Sequence, residues 1–308
     1  MSLPLDSVLL VGYGGPERPS DIMPFLRRVV AGRSVPDERL AAVAHHYEAV
    51  GGRSPYNEQT RDLAAGLEAW FDGKGRPLAV RVGMRNWDPL LEDTVRAMAD
   101  EGLRHSAGVI LAAHRSEVSW DRYLREVGEA CARVAGAPEI SFIEPWFQEP
   151  GFLDACARRL EEAAGTGREG WPEDLLLVFT AHSIPVPMAE RSPYVQDVTA
   201  SCEGVASRIR PARWRLAWQS RSTDGRSAWL EPDILDVLRE ESAAGTRRIM
   251  VQAIGFLSDH VEVLYDLDVE AAALARSLGL TLQRAGCVNA HPDFVAMLGR
   301  RVLALERG

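Results

Sequence analysis

No CxxC pair occurs in this chain. Its four cysteines, Cys131, Cys156, Cys202 and Cys287, lie far apart, which argues against a disulfide framework or a zinc knuckle. A reducing, cytoplasmic setting is the expectation. A basic excess is missing too: 35 Lys plus Arg stand against 44 Asp plus Glu, for a formal charge of −9. Duplex nucleic acid needs a basic face, so nucleic acid is not expected as a partner. The first residues lack a basic stretch followed by a long apolar one, and no run approaches the roughly 18 apolar residues of a membrane span. The HExxH, Walker lysine and GxSxG patterns are absent, which removes support for metalloprotease, P-loop and serine hydrolase chemistry.

What is present is a repeated alternation of short apolar runs and helical stretches over 308 residues, 46% of them hydrophobic, enough for a substantial core. Val8 to Val11 reads as a buried strand ending at Gly12, Tyr13, Gly14, Gly15 and Pro16. A helix with Ser20 as N-cap and a stripe of Ile22, Phe25, Leu26 and Val29 follows. Further helices are expected over Asp37 to Tyr47, Asn57 to Ala69 and Leu90 to Glu101. Strands are expected over Ala79 to Gly83, Gly108 to Ala113 and Ile140 to Ile143. The second half repeats the rhythm, with strands at Leu175 to Thr180, Leu216 to Gln219 and Ile249 to Ile254 and a helix over Val198 to Ile209. Ala163 to Pro172 is the most linker-like stretch. The expected fold class is α/β: two Rossmann-like domains, residues 1–150 and 151–308, with parallel sheets flanked by helices. Element order carries this similarity between the halves, since no residue-level repeat is visible.

In open parallel sheets ligands bind beyond the carboxyl ends of the strands, which places Tyr13, Arg85, His114, His182 and the segment after Ile254 on a rim. The glycines after the first strand fall short of the full GxGxxG dinucleotide pattern. His182 follows a near-continuous apolar strand, where an imidazole is held firmly and can take a proton or a metal ion. Glu262, Asp266 and Glu270 fall at i, i+4 and i+8, sharing one face of a helix. Such a carboxylate line is either a solvated surface or a path for cations. His182 with Glu262 makes a sparse N/O donor set, suited to a divalent ion that is passed on rather than kept. Aromatics and arginines on the rim, including Tyr13, Arg33, Arg85, Trp87, Tyr123, Trp218 and Trp229, suit a large flat anion, whose ring stacks on aromatic faces while arginines meet its carboxylates.

The motifs Gly12-Tyr13-Gly14-Gly15-Pro16, Tyr47 to Pro55, Gly83-Met84-Arg85-Asn86-Trp87, Thr180-Ala181-His182-Ser183-Ile184-Pro185, Trp229-Leu230-Glu231-Pro232-Asp233 and Gly255 to Asp268 together resemble ferrochelatases, the lyases that insert ferrous iron into a porphyrin in haem biosynthesis. The resemblance spans nearly the whole chain and implies a chelatase-like fold with the porphyrin held between two domains. It implies His182 and Glu262 as the catalytic, metal-handling pair, with Asp266 and Glu270 as the outward metal-binding line. Tyr13, Arg33, Ser54, Arg85, Tyr123 and Trp229 are the porphyrin contacts it suggests. Tyr13 points to coproporphyrin III, since relatives acting on it carry tyrosine there where the animal protoporphyrin IX enzymes carry methionine. The resemblance implies that iron is a substrate and that no cofactor is required. Some relatives hold a [2Fe-2S] cluster with one internal cysteine and a cysteine group near the C-terminus; Pro292 to Gly308 contains no cysteine, so the tail lends it no support. The expected partners are the porphyrin and ferrous iron, with transient contact to a membrane surface or another haem-pathway protein left open. The loop His114 to Trp120 departs from the usual serine- and tyrosine-rich form. The alternatives are a cobalt or nickel chelatase of another tetrapyrrole and a haem- or metal-binding protein without catalysis.

Overall fold

The computed structural model describes residues 4–165, 171–222 and 227–306. The chain divides into two compact units, the first formed by Met1–Leu111, Val118–Pro145 and Asn289–Gly308, the second by Ala112–Glu117 and Trp146–Val288.

In the first unit, β1 (Ser7–Gly12) is buried along its whole length because its side chains are apolar or small on both faces, as a central parallel strand covered by helices must be. Helices α1 (Ile22–Val29), α2 (Asp37–Ala49) and α3 (Tyr56–Gly73) follow, then β2 (Ala79–Met84), α4 (Leu91–Asp100), β3 (His105–Ile110), α5 (Arg122–Arg133) and β4 (Glu139–Phe142). All pairings are parallel, in the order β2-β1-β3-β4.

The second unit contains α6 (Pro150–Ala164), β5 (Leu175–His182), the short α7 (Val186–Ala189), α8 (Tyr194–Ile209) and β6 (Arg213–Gln219). It continues with α9 (Ile234–Ala243), β7 (Arg248–Gln252), one turn of helix α10 (Val261–Val263), a π-helical stretch over Leu264–Ala271, α11 (Ala272–Ser277) and β8 (Thr281–Ala285). Its sheet is again parallel, in the order β6-β5-β7-β8. Counting strands within each unit, both orders read 2-1-3-4, which is the similarity between halves that element order implies. The winding reverses between the first and third strands, so the ligand crevice of each unit is expected beyond β1 and β3, and beyond β5 and β7. One face of the second sheet, with Leu176, Val178, Ala217, Ile249 and Val251, packs on Ile234, Val237 and Leu238 of α9 and on Val263, Leu267, Ala271 and Ala275.

The structure corrects four expectations. The last helix, α12 (Pro292–Leu305), was assigned to a domain of residues 151–308, but it belongs to the first unit. It packs on α3, where Gly299 lies against the Trp70 ring and Val295 against Gly66. An amphipathic pattern reveals that a helix has a buried face, not which partner covers it. Ser20 is not a helix cap: Pro19–Asp21 form a 3-10 turn leading straight into α1, whose first residues have no side-chain cap. The carboxylate line does not ride on one α-helix, since Leu264–Ala271 is π-helical, with i→i+5 hydrogen bonds. Strand β8 is not among the expected strands, because Thr281–Ala285 lies at a sheet edge, with Leu282 its one large apolar residue and no clear alternation. Of the linker-like stretch, α6 reaches Ala164 and Gly165 takes a left-handed conformation; residues 166–170 lie outside the described residues.

Candidate functional site

His182 is the last residue of β5, and three contacts pin the backbone around it. The Tyr194 hydroxyl donates to the His182 carbonyl at 2.9 Å. The Ser183 N–H donates to the Gln219 carbonyl at 2.8 Å, and the Ser183 hydroxyl donates to the Leu230 carbonyl at 3.0 Å. The imidazole Nδ1 contacts the Ser183 carbonyl. A carbonyl only accepts, so Nδ1 carries the proton and a neutral ring presents a bare lone pair at Nε2. That lone pair lies 3.6 Å from Oε2 of Glu262, and both side chains are more than a third exposed.

Glu262 reaches this place through a compact loop after β7. The Gly255 N–H donates to the Thr180 carbonyl at 3.1 Å. A Cβ at Gly255 would lie 2.6 Å from Ala181 Cβ and 2.8 Å from its Cα, so only glycine lets this loop lie against the end of β5. Phe256 stacks edge-on against His260 with centroids 4.8 Å apart, and His260 Nδ1 accepts from the Glu262 N–H at 3.2 Å, capping α10. Burial lowers the His260 pKa, which keeps the ring neutral and able to accept.

Asp266 lies one turn further on. Its Oδ2 accepts from the Ser220 hydroxyl and from Gln219 Nε2 at 3.2 Å, and the same Gln219 amide donates to the Glu262 carbonyl at 3.2 Å. Burial pushes the Asp266 carboxyl up to about 7; the Ser220 and Gln219 hydrogen bonds oppose the rise, while Glu262 and Glu270 add to it. Glu270 is exposed and also raised, by burial and then by Asp233. Asp266 is therefore coupled both to Glu262, in α10, and to Glu270, in the π-helical stretch. Among the described residues no three His, Cys, Asp or Glu side chains converge as a metal-holding group. Two donors about 2.1 Å from one divalent ion stand roughly 3.0–3.4 Å apart, close to the His182–Glu262 separation. The pair can meet a cation together but offers too few ligands to retain it.

Trp229 belongs to the same unit. It bridges to Pro185 in the segment after His182, and its buried indole Nε1 has no hydrogen-bond partner among the described residues. A buried donor without a partner is costly unless something else accepts from it.

The remaining residues suggested as porphyrin contacts are in the first unit. Tyr13 follows β1, is half-buried, and carries the Arg85 guanidinium 5.9 Å from its ring centroid. Arg85 Nε pairs with Glu126 at 2.9 Å. The Tyr56 hydroxyl accepts from the Tyr13 N–H at 3.0 Å; burial pushes its pKa to about 12. Tyr123 is buried, and burial followed by Tyr56 and Tyr13 raises its phenol well above the ordinary value. Tyr13, Arg85 and Tyr123 thus form one cluster with Tyr56 and Glu126, two residues absent from the sequence expectation: Tyr56 lies just past the Tyr47 to Pro55 motif, and Glu126 lies in a helix outside every motif. Ser54 is turned inward: its Cβ lies against Gly15, its N–H donates to the Pro16 carbonyl and its hydroxyl accepts from the Tyr56 N–H. Arg33 is exposed in the turn after α1, outside this cluster.

His114 does not lie on a rim. It is 3% exposed and its Nε2 contacts the Ser201 hydroxyl at 2.9 Å, which donates in turn to the Phe147 carbonyl. Burial lowers the His114 pKa to about 3. Trp218 is likewise buried, against Tyr194.

The four thiols are divided between the units. Cys131 is in the first unit and Cys156, Cys202 and Cys287 in the second, where burial raises the pKa of all three.

Together these features define a class: a two-unit parallel α/β protein with a histidine–carboxylate pair at the crevice end of one sheet, open to a passing cation. Solved structures share the architecture. The sirohydrochlorin chelatase SirB of Bacillus subtilis, in its Fe3+ form, matches with a TM-score of 0.61 at 14% identity, covering 99% of this chain and 98% of that one. Its cobalt complex, from subspecies spizizenii, gives 0.58 at 15% identity, covering 99% and 96%. The ferrochelatase family model matches residues 6–305. The ferrochelatase of Rhodopirellula baltica is 41% identical over 96% of this chain and 84% of its own length. The coproporphyrin III ferrochelatases of Mycolicibacterium paratuberculosis and Streptomyces coelicolor are 41% and 38% identical over 98% and 99% of this chain, and 89% and 86% of theirs. The chain belongs to the ferrochelatase family, lyases that insert iron into a porphyrin.

Proposed function

We propose that this enzyme inserts ferrous iron into coproporphyrin III, with His182 and Glu262 handling the metal and the pyrrole protons. The carrying observation is the 3.6 Å pair whose histidine is tautomerically set to offer Nε2. In the reaction two N–H protons leave the macrocycle as one Fe2+ enters it. A neutral imidazole lone pair and a carboxylate on one locus can receive an ion or a proton. Asp266, with its carboxyl near 7, can exchange a proton close to neutral pH.

The choice of coproporphyrin III rests on Tyr13 and on relatives that carry that substrate in their names. The Arg85 guanidinium lies over the Tyr13 ring and is paired with Glu126, which fixes the tyrosine's surroundings. A cytoplasmic location goes with this reading; no described helix is long and apolar enough to cross a membrane.

The test is anaerobic metallation followed by absorbance, with Fe2+ and either coproporphyrin III or protoporphyrin IX. Faster turnover of coproporphyrin III is expected. Preference for protoporphyrin IX would overturn the substrate, and binding of either porphyrin without metallation would overturn the enzymatic reading.

A further inference from the structure

We propose that Arg284, on edge strand β8, is a positioning residue that staples both ends of the segment carrying Glu262 and Asp266. The inference rests on the reading that Glu262 serves metal insertion. Arg284 Nη1 donates to Asp259 Oδ1 at 2.6 Å, three residues before Glu262. Its Nε and Nη2 form a two-armed fork with Asp268, at 2.7 and 2.9 Å, six residues after Glu262 and inside the π-helix. A single guanidinium therefore spans the loop entry and the middle of the π-helix. The Cys287 N–H reinforces the first contact, donating to Asp259 Oδ1 at 3.2 Å, and the remaining Nη1 capacity goes to the Ala285 carbonyl at 3.2 Å.

The environment makes the staple stiff. Arg284 and Asp259 are each only 15% exposed. Burial disfavours the guanidinium charge, yet Asp268 and Asp259 more than offset it and hold the pKa above its ordinary value. Bidentate pairing to a carboxylate fixes direction as well as distance. A π-helix is a rare conformation with long i→i+5 bonds, and it persists where surrounding contacts determine it. Here the ten residues from Asp259 to Asp268 are tied at both ends to one strand, while His260 and Gln219 add holds between. Slack at either end would move Glu262 away from His182 Nε2. Lysine cannot replace this arrangement, because a point charge cannot form the fork and reach Asp259 together.

The test compares Arg284→Met, Arg284→Lys and Asp268→Asn with Arg248→Met, which breaks the exposed Arg248–Asp174 pair on the same sheet. Steady-state metallation and amide hydrogen exchange over residues 260–267 are measured on each. Arg284→Met and Asp268→Asn should lower kcat by about tenfold to a hundredfold, the range for groups that orient ligands, with the porphyrin KM unchanged. Their exchange over residues 260–267 should quicken, Arg284→Lys should recover only a small part of kcat, and Arg248→Met should behave as wild type. Wild-type exchange in a folded Arg284→Met protein, or full rescue by lysine, would overturn the staple. Should Arg284→Met fail to fold, Asp268→Asn decides, since Asp268 is 41% exposed. A wild-type protein without metallation activity would sink the proposed function, while the exchange data would still judge the staple.

Discussion

The Nε2 atom of His182 stands 3.6 Å from Oε2 of Glu262, while its Nδ1 is engaged by the adjacent Ser183 carbonyl. One face of the ring is thus committed to the backbone and the other to whatever lies beside the carboxylate. His182→Ala removes the lone pair and Glu262→Gln removes the charge without changing shape. Each should reduce kcat for iron insertion by about 10²-fold or more, the usual scale for a positioned acid–base group. Stopped absorbance assays at saturating porphyrin check this, and wild-type turnover by both variants would end the assignment.

Asp266 makes stability depend on pH in an unusual direction for a carboxylate. Its folded pKa, about 7, lies above the unfolded value near 3.8, so the folded state holds the extra proton between those values. Its contribution to stability is therefore greatest in acid and declines as pH rises towards 7, by up to about 1.4 kcal/mol per unit. Asp266→Asn should melt at a higher temperature than wild type at pH 8, with the gap closing by pH 4. Calorimetry across that range is the check; a gap that widens in acid would contradict it.

His114 acts at the other limb. Burial lowers its folded pKa to about 3 from 6.5, so only the unfolded chain takes up a proton between those values. Stability is full above pH 6.5 and falls as the pH drops below it, again by about 1.4 kcal/mol per unit. Replacing His114 with Gln, which keeps a donor for Ser201, should flatten the acid side of the melting profile between pH 6.5 and 5.

Gly255 tests the packing beneath the catalytic strand end. A methyl group there would overlap the backbone of Ala181, which cannot yield without moving His182. Gly255→Ala should cost about 1–3 kcal/mol and lower kcat at least about tenfold, as a 1 Å displacement of a catalytic group commonly does. Gly279→Ala is no suitable comparison because its φ of 69° brings separate strain. Gly73→Ala, with open space around its Cβ and an ordinary backbone, should leave activity unchanged.

The rhythm of apolar runs is enough to read both parallel sheets except edge strand β8, because buried strands such as Ser7–Gly12 and all but the last residue of Leu175–His182 carry apolar or small side chains on both faces. His182 was legible for a related reason: it ends the most apolar of those strands. Glu262 was legible through the spacing of its carboxylate neighbours. The contacts that aim these side chains were not. The Ser183 carbonyl, the Gln219 amide and the Arg284 fork become partners only through strand register and loop path. The π-helix is not legible because the i, i+4, i+8 carboxylates suit an α-helix equally well, and the wider turn leaves no compositional mark. His114 was misplaced because a polar residue just after a strand resembles a rim position, whereas an imidazole bonded to Ser201 can be buried.

The return of α12 to the first unit has a consequence for biosynthesis. The polypeptide passes between the two units at residues 111/112, 117/118, 145/146 and 288/289. The second unit is therefore nested inside the first along the chain, and all of its strands have been synthesised before α12 emerges. During translation it can close while the face of α3 that receives α12 is still bare. The segment made first is thus completed last, and a chain cut at residue 150 lacks the helix that seals its own core.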